Sequence, residues 1–206
     1  MRFLLWTGVE EWLTEAATVE LSAGGLRAVG SQFGAEPAPY RVDYRLEAPE
    51  RYVTRELELT ASGEGWRRAL LLRHDGAGGW SAEREGDGEL PGESPAEGLP
   101  DLSAALDIDI ENSPLTNTMP ILRHRFDEQG EGDFLMAFVT VPYLGVEASP
   151  QRYEHVRADA NGAVVRYLSR DGDFTAELEI DADGLLVDYA RLARRVRPGL
   201  RVDGRA

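Results

Sequence analysis

The feature that most constrains this chain is the alternation of apolar and polar residues with a period of two. Residues 40–47 and 174–180 both place an apolar residue at nearly every second position and a charged or hydroxyl side chain between. Successive side chains of a β-strand point to opposite faces, so this pattern is typical of strands with one face in a core. We therefore expect a mainly β protein.

Dipeptides of Asp or Asn followed by Gly separate these runs: Asp75-Gly76, Asn161-Gly162, Asp171-Gly172 and Asp183-Gly184. Such pairs tolerate positive φ, which tight hairpin turns require, and they predict antiparallel neighbours. Residues 84–100 hold Glu, Gly, Pro and Ser with only two leucines. We expect a surface loop or linker there, and two halves related by a diverged duplication would meet near 84–105.

Composition excludes several classes of function. The chain carries 37 acidic and 22 basic residues, a net charge of −15, which opposes binding to nucleic acid and to anionic membrane surfaces. With no cysteine, it has no disulfide, no thiol nucleophile and no Cys-based metal site. His74, His124 and His155 lack metal-ligand spacing, so we predict neither metal nor cofactor. No apolar run is long enough for a signal peptide or a membrane span, which predicts a cytoplasmic protein.

The central block, residues 106–124, is the most informative segment. Asp107, Asp109 and Glu111 alternate with apolar residues and share one strand face. Ser113 followed by Pro114 is typical of a helix N-terminus, but Pro120 forces a restart or kink, which Thr118 could mark. We expect one helix within about 113–126, with Arg123 directed outward.

This block also carries a resemblance. Residues 40–44, 107–122, 142–153 and 174–189, in this order along the chain, resemble the family known as the putative glycolipid-binding proteins, over about residues 3–195. The resemblance implies a spiral β-roll: a long antiparallel sheet wrapped around one helix, often as a homodimer. It also implies a likeness to bacterial lipoprotein carriers. Residues 1–195 would form a single β-roll domain, and 196–206 a basic tail.

The function that the resemblance implies is binding of a small amphiphile, a glycolipid or lipid, in a groove between curved sheet and helix. Its polar anchors would come from the matched motifs: Arg41, Tyr44, Asp109, Ser113, Thr116, Asn117, Arg123 and Tyr153. Two alternatives stay open. One is a hydrolase-like or isomerase-like enzyme on a small hydrophobic substrate, with Asp109 or His124 as acid/base; the other is a ligand-free structural dimer. No Gly-x-Ser-x-Gly nucleophile elbow is present, and we assign no catalytic residue.

Overall fold

A computed structural model describes residues 1–92, 98–170 and 174–196 of the chain. It confirms a mainly β protein with one curled sheet of 14 strands and, in these ranges, a single short helix. The strands are β1 (Arg2–Gly8), β2 (Leu13–Ser22), β3 (Gly25–Gly34), β4 (Tyr40–Ala48), β5 (Glu56–Gly63), β6 (Trp66–His74), β7 (Trp80–Asp87), β8 (Ala105–Ile110), β9 (Glu131–Val139), β10 (Val146–Asp159), β11 (Gly162–Ser169), β12 (Thr175–Asp181), β13 (Leu186–Tyr189) and β14 (Ala193–Arg195). The helix is α1 (Thr118–His124).

The strand order is β7-β6-β5-β4-β3-β2-β1-β14-β13-β12-β11-β10-β9-β8. The chain therefore starts in the middle of the sheet, runs outward to β7, crosses to β8 at the other edge and returns to the middle. All neighbours are antiparallel except β8 and β9, whose connection contains α1. Turns with positive φ at Gly76 (86°) and Gly184 (75°) confirm two of the predicted Asp-Gly turns. Asp171-Gly172 lies outside the described residues.

Hydrogen bonds draw the two ends of the sheet together. The backbone N–H of Thr54 donates to the carbonyl of Leu106 at 3.0 Å, and Ile108 N–H donates to the Thr54 hydroxyl at 3.1 Å. The indole of Trp80 donates to the Ala105 carbonyl at 3.1 Å. Because β8 would otherwise leave an unpaired edge, these bonds satisfy backbone groups that would be costly to bury. The curl thus brings β8 against the start of β5 and β7.

The helix lies within the predicted window but begins later than Ser113. Residues 114–117 form turns, α1 starts at Thr118, and Asn117 is its N-cap residue without a side-chain cap. The expectation of a Ser113 cap was wrong because its hydroxyl donates to Glu15 instead. Pro120 is the third helical residue, where a missing N–H costs no intrahelical bond. The helix starts at Thr118, the residue that the sequence marked as a possible restart, but residues 113–117 before it are not helical.

The helix packs into the core rather than over an open space. Leu115, Met119 and Ile121 have 0% of their surface exposed, and they join one continuous core with the inward residues of the strands. Burial of such side chains stabilises the fold by roughly 1.5–3 kcal/mol each. No helix in the described part of the chain has the length and apolar character needed to cross a bilayer.

The structure corrects the loop predicted over residues 84–100. The predicted loop over 84–100 begins too early, because β7 continues to Asp87, paired with Arg67 of β6. An edge strand in solvent needs backbone hydrogen-bond partners on one side only. Strand β7 therefore has a polar composition, which in the sequence resembles that of a loop. Residues 93–97 and most of the predicted basic tail lie outside the described residues. The duplication of two halves stays a prediction.

Candidate functional site

Polar side chains from the central block meet side chains of the sheet inside the roll. We call this group the interior polar cluster; its members are Glu15, Gln32, Tyr44, Asp107, Asp109, Ser113, Thr116, Asn117, Arg123, Gln151 and Tyr153. Strand β8 carries the two aspartates, and the turn before α1 carries the hydroxyl and amide groups. The cluster therefore exists because an alternating strand and an irregular turn follow one another inside the curl.

Glu15 is a deeply buried acid of the cluster, with 1% of its surface exposed, as for Asp107. Its Oε1 accepts hydrogen bonds from the hydroxyls of Tyr44 at 2.5 Å and Ser113 at 2.9 Å. Its Oε2 has no hydrogen-bond partner among the described residues. Burial in low-dielectric surroundings raises the pKa of Glu15 to about 7, although both hydroxyl bonds oppose the shift.

Gln32 lies opposite Glu15 in the register of β2 and β3. Its amide Nε2 donates to the backbone carbonyl of Glu111 at 3.0 Å, while its Oε1, within the described structure, lacks a donor. The side chain is completely buried. The pair thus ties β2 and β3 to residues 111 and 113.

Asp109 is held by neutral partners. Thr116 donates its hydroxyl to Oδ1 at 2.6 Å, and Gln151 donates its amide to Oδ2 at 2.7 Å. Burial raises the pKa of Asp109 to about 6, and the negative charge of Asp107 adds to the shift. The Tyr153 hydroxyl lies 2.9 Å from Asn117 Oδ1 and 3.0 Å from Gln151 Oε1, so its one proton can serve either acceptor.

Asp107 and Arg123 form a bidentate ion pair inside the protein. The side chains are only 1% and 3% exposed. The expectation that Arg123 points outward was wrong, because a carboxylate at position 107 inside the roll requires a cation. A buried carboxylate without such a partner is strongly unfavourable.

The structure brings seven of the eight predicted anchors into the interior polar cluster; Arg41 lies elsewhere. These seven side chains mainly bond one another or cluster partners. Arg41 is on the outer face of β4, 54% exposed and paired with Asp43 at 2.7 Å. Sequence reasoning missed Glu15, Gln32 and Gln151. The signal for Glu15 was available: it occupies an apolar position of an alternating strand, between Leu13 and Ala17.

A groove of about 480 Å³ lies on the outer face of β1–β5, and we call it the outer groove. Its floor is a row of short side chains aligned by strand register: Ala16, Ser31, Asp43 and Thr60. One wall follows the neighbouring row and holds Phe3, Thr18, Val29, Arg45 and Glu58, and Arg41 lines the other side. The groove arises because short residues stand between longer ones.

The outer groove is apolar at one end and charged at the other. Phe3 and Val29, 72% and 50% exposed, lie on the side of β1 and β3. On the side of β4, the Ser31 hydroxyl and the Arg41 guanidinium both donate to Asp43 Oδ1. In the described ranges, no three His, Asp or Glu residues are grouped closely enough to hold a metal ion.

Comparison with known proteins identifies the family. The sequence model of the family described as "Putative glycolipid-binding" matches residues 3–195. The chain belongs to this family. A crystal structure of a DUF1089 family protein from Pseudomonas aeruginosa is similar, with 28% sequence identity, a TM-score of 0.68, and coverage of 88% of this chain and 92% of that one. No curated protein matches the chain.

The family assignment confirms the resemblance seen in the sequence, and the similar crystal structure supports the fold. The homodimer, the cytoplasmic location and the absence of a nucleic-acid partner stay predictions.

Proposed function

We propose that this protein binds an amphiphile of the glycolipid class, and that the outer groove holds it. The observation that carries the proposal is the division of the outer groove into an apolar end at Phe3 and Val29 and a charged end at Arg41 and Asp43. An acyl chain gains from covering exposed apolar surface, and sugar hydroxyls need polar partners. The family description points to the same ligand class.

The sequence predicted a different location for the same ligand, a groove between sheet and helix. In the present conformation Leu115, Met119 and Ile121 fill that space. A ligand there would have to displace the helix and break its contacts. Cores are packed to about 0.74 of their volume, so such displacement is costly. This is why we favour the outer groove.

The polar end suits sugar hydroxyl groups. Asp43 and Glu58 can accept hydrogen bonds, Arg45 can donate them, and Ser31 and Thr60 can do both. Arg41 lies over the Phe33 ring with its central carbon 5.7 Å from the ring centroid, which limits the guanidinium's motion. The groove thus offers several partly fixed hydrogen-bonding groups near an apolar surface.

The test uses octyl glucoside below its micelle concentration, with backbone amide NMR shifts as the readout. Saturable shifts should map to the outer strand face. In the variant Phe3→Ser/Val29→Ser the affinity should fall at least tenfold, because covering these side chains contributes about 1.4 kcal/mol or more. Trp12→Ser is the matched control: Trp12 is 68% exposed but does not line the groove.

Two outcomes would count against the proposal. If the shifts cluster around Leu115 and Met119 while Phe3→Ser/Val29→Ser binds normally, the outer groove is the wrong location. If the protein binds no octyl glucoside and native mass spectrometry finds no co-purified amphiphile, the binding function itself fails.

A second candidate function rests on Asp109, whose pKa of about 6 suits acid/base chemistry near neutral pH. We propose it as the alternative: an enzyme acting on a small hydrophobic substrate. Screening p-nitrophenyl esters with wild type and Asp109→Asn tests it. An activity lost in the folded Asp109→Asn variant would favour the enzyme; an activity that survives the substitution would remove Asp109 from the role.

A further inference from the structure

We propose a second ligand site, in a cleft around Arg55 and His74, for a small molecule that carries an oxyanion beside hydroxyl groups. Two cavities of about 530 and 440 Å³ both contain Arg55 and His74 in their walls. We call them the two lobes of the His74 cleft. The site shares no lining residue with the outer groove, and the inference does not depend on the proposed function.

His74 lies in the walls of both lobes. The residue is 1% exposed, and its ring stacks on Trp80 with 4.7 Å between centroids. Its Nδ1 lies 3.2 Å from the Thr54 carbonyl oxygen, and because a carbonyl only accepts, Nδ1 carries a hydrogen. Nε2 has no hydrogen-bond partner among the described residues. Buried polar atoms are rarely left unpaired, so this nitrogen marks a place for a further polar group.

Arg51 and Arg55 both line the 440 Å³ lobe, and no carboxylate in the described ranges lies within ion-pair distance of either. Within the described structure, the guanidinium of Arg55 has one hydrogen bond, from Nη1 to the Asp75 backbone carbonyl at 3.3 Å. One acid, Glu50, shares that lobe. Guanidinium groups bind phosphate and carboxylate oxygens in pairs, so two of them beside one cavity favour an oxyanion.

Other charges of the cleft are already engaged. Arg73, in the 530 Å³ lobe, bonds Glu56 and Glu83. Asp75 accepts the backbone N–H groups of Ala77 and Gly79, which lowers its pKa. The groups left for a ligand are therefore the two arginines, the acid Glu50 and the His74 nitrogen.

The turn that presents Arg51 is held in an unusual backbone conformation. Arg51 and Tyr52 are consecutive non-glycine residues with φ of 51° and 57°. Hydrogen bonds from Tyr52 N–H to the Gly24 carbonyl and from Val53 N–H to the Glu50 carbonyl, both 2.9 Å, fix the turn. Residues in the left-handed region cost energy, and such strain is concentrated at ligand sites. The turn therefore holds the Arg51 backbone beside the 440 Å³ lobe, so that ligand binding requires no change in this backbone.

These groups together define the ligand chemistry. An oxyanion would pair with Arg51 and Arg55, and a neighbouring hydroxyl would interact with His74 Nε2. A phosphorylated polyol has both groups, whether it is free in solution or forms the headgroup of a lipid. The two sources share this chemistry and can be separated by experiment.

The experiment follows the imidazole signals of His74 by NMR in the full-length protein. Only three histidines are present, so His74→Gln assigns the signals. Inositol 1-phosphate should shift the His74 signals saturably, and inositol alone should not do so at the same concentration. Dihexanoyl phosphatidylinositol, below its micelle concentration, tests the lipid source. Tighter binding of this lipid would assign the site to a headgroup, and tighter binding of inositol 1-phosphate to a free metabolite.

Two variants test whether Arg55 contributes to binding. Arg55→Gln should weaken binding of inositol 1-phosphate about tenfold, because a charge-assisted pair is lost. Arg27→Gln is the control: Arg27 is exposed on β3, forms no ion pair in the described structure and lies outside the cleft. The proposal is overturned if no probe shifts the His74 signals, if inorganic phosphate binds as tightly as inositol 1-phosphate, or if Arg55→Gln binds like wild type.

Discussion

Glu15 and Gln32 are cross-strand partners inside the roll, and each has one side-chain oxygen that receives no hydrogen bond from the described residues. Two hydrogen-bond acceptors on neighbouring strands cannot form a hydrogen bond with each other while Glu15 is ionised. A proton on Glu15 changes this, because the acid then has a donor to offer. The raised pKa of Glu15, caused mainly by burial, agrees with that need.

Stability should therefore fall as pH rises through the range between the two pKa values of Glu15. The ordinary pKa is 4.5 and the folded-state pKa is about 7, so the folded state binds the proton more tightly. Below pH 4.5 this contribution is fully present, and above pH 7 it is lost. The loss amounts to about 3 kcal/mol. Urea unfolding between pH 5 and 8 measures it.

Glu15→Gln should remove the dependence between about pH 6 and pH 7, because a neutral amide keeps the shape and adds donors. Below about pH 6, Asp109, whose pKa is also raised, still contributes a slope. Glu20→Gln, on the exposed end of the same strand, is the control and should keep the wild-type slope. Equal slopes in Glu15→Gln and wild type would show that another group titrates.

The ion pair between Asp107 and Arg123 should be necessary for folding stability. Arg123→Met leaves a buried carboxylate without a cation and should lower the free energy of unfolding by about 3–5 kcal/mol. The double variant Arg123→Met/Asp107→Leu should recover most of the loss. Arg125→Met is the control, since Arg125 is 59% exposed, and should change stability by less than about 0.5 kcal/mol. Recovery absent from the double variant would contradict the electrostatic explanation.

Gly30 should not tolerate a side chain. A Cβ at this position would collide with the ring of Tyr44, which is buried and bonded through its hydroxyl to Glu15. Gly30→Ala should destabilise the protein by about 1–3 kcal/mol, the usual cost of overpacking. Gly98→Ala, which meets open space, should be close to neutral. Thermal unfolding of both variants makes the comparison, and equal melting temperatures would refute the clash.

The Tyr153 hydroxyl should contribute to the stability of the interior polar cluster. Tyr153→Phe leaves Asn117 Oδ1 and Gln151 Oε1 without their shared donor and should cost about 1–3 kcal/mol. Tyr143→Phe is matched to it, because the Tyr143 hydroxyl donates to the Pro91 carbonyl at an exposed position. A smaller loss in Tyr153→Phe than in Tyr143→Phe would argue against a role for the buried network.

Much of the fold could be predicted from local sequence patterns. Alternation located β4 and β12, and the conflict between Pro120 and a continuous helix placed the helix start at Thr118. Strand β7 was partly missed because its outer partner is water, so no apolar pattern was needed. Local patterns of apolar residues indicate which parts of a strand are covered by protein, and an edge strand in solvent is covered by little protein.

The interior polar cluster was harder to foresee. The resemblance drew attention to residues such as Ser113 and Tyr153, but they bond atoms far away in sequence: Ser113 bonds Glu15 of β2, and Tyr153 bonds Asn117 before α1. The hydrogen bond between Ser113 and Glu15 joins residues 98 positions apart. Only the curl of the sheet brings such residues together, and no local pattern encodes that curl.

The adjacency of β1 and β14 has a consequence for how the protein is made. Residues Trp6 and Arg195 are register partners, so β1 lacks its second neighbour until nearly 190 further residues have left the ribosome. Until then one edge of β1 has open backbone groups, and those groups can pair with another nascent chain. One edge of β1 therefore stays open until residues 193–195 have been synthesised and have paired with it.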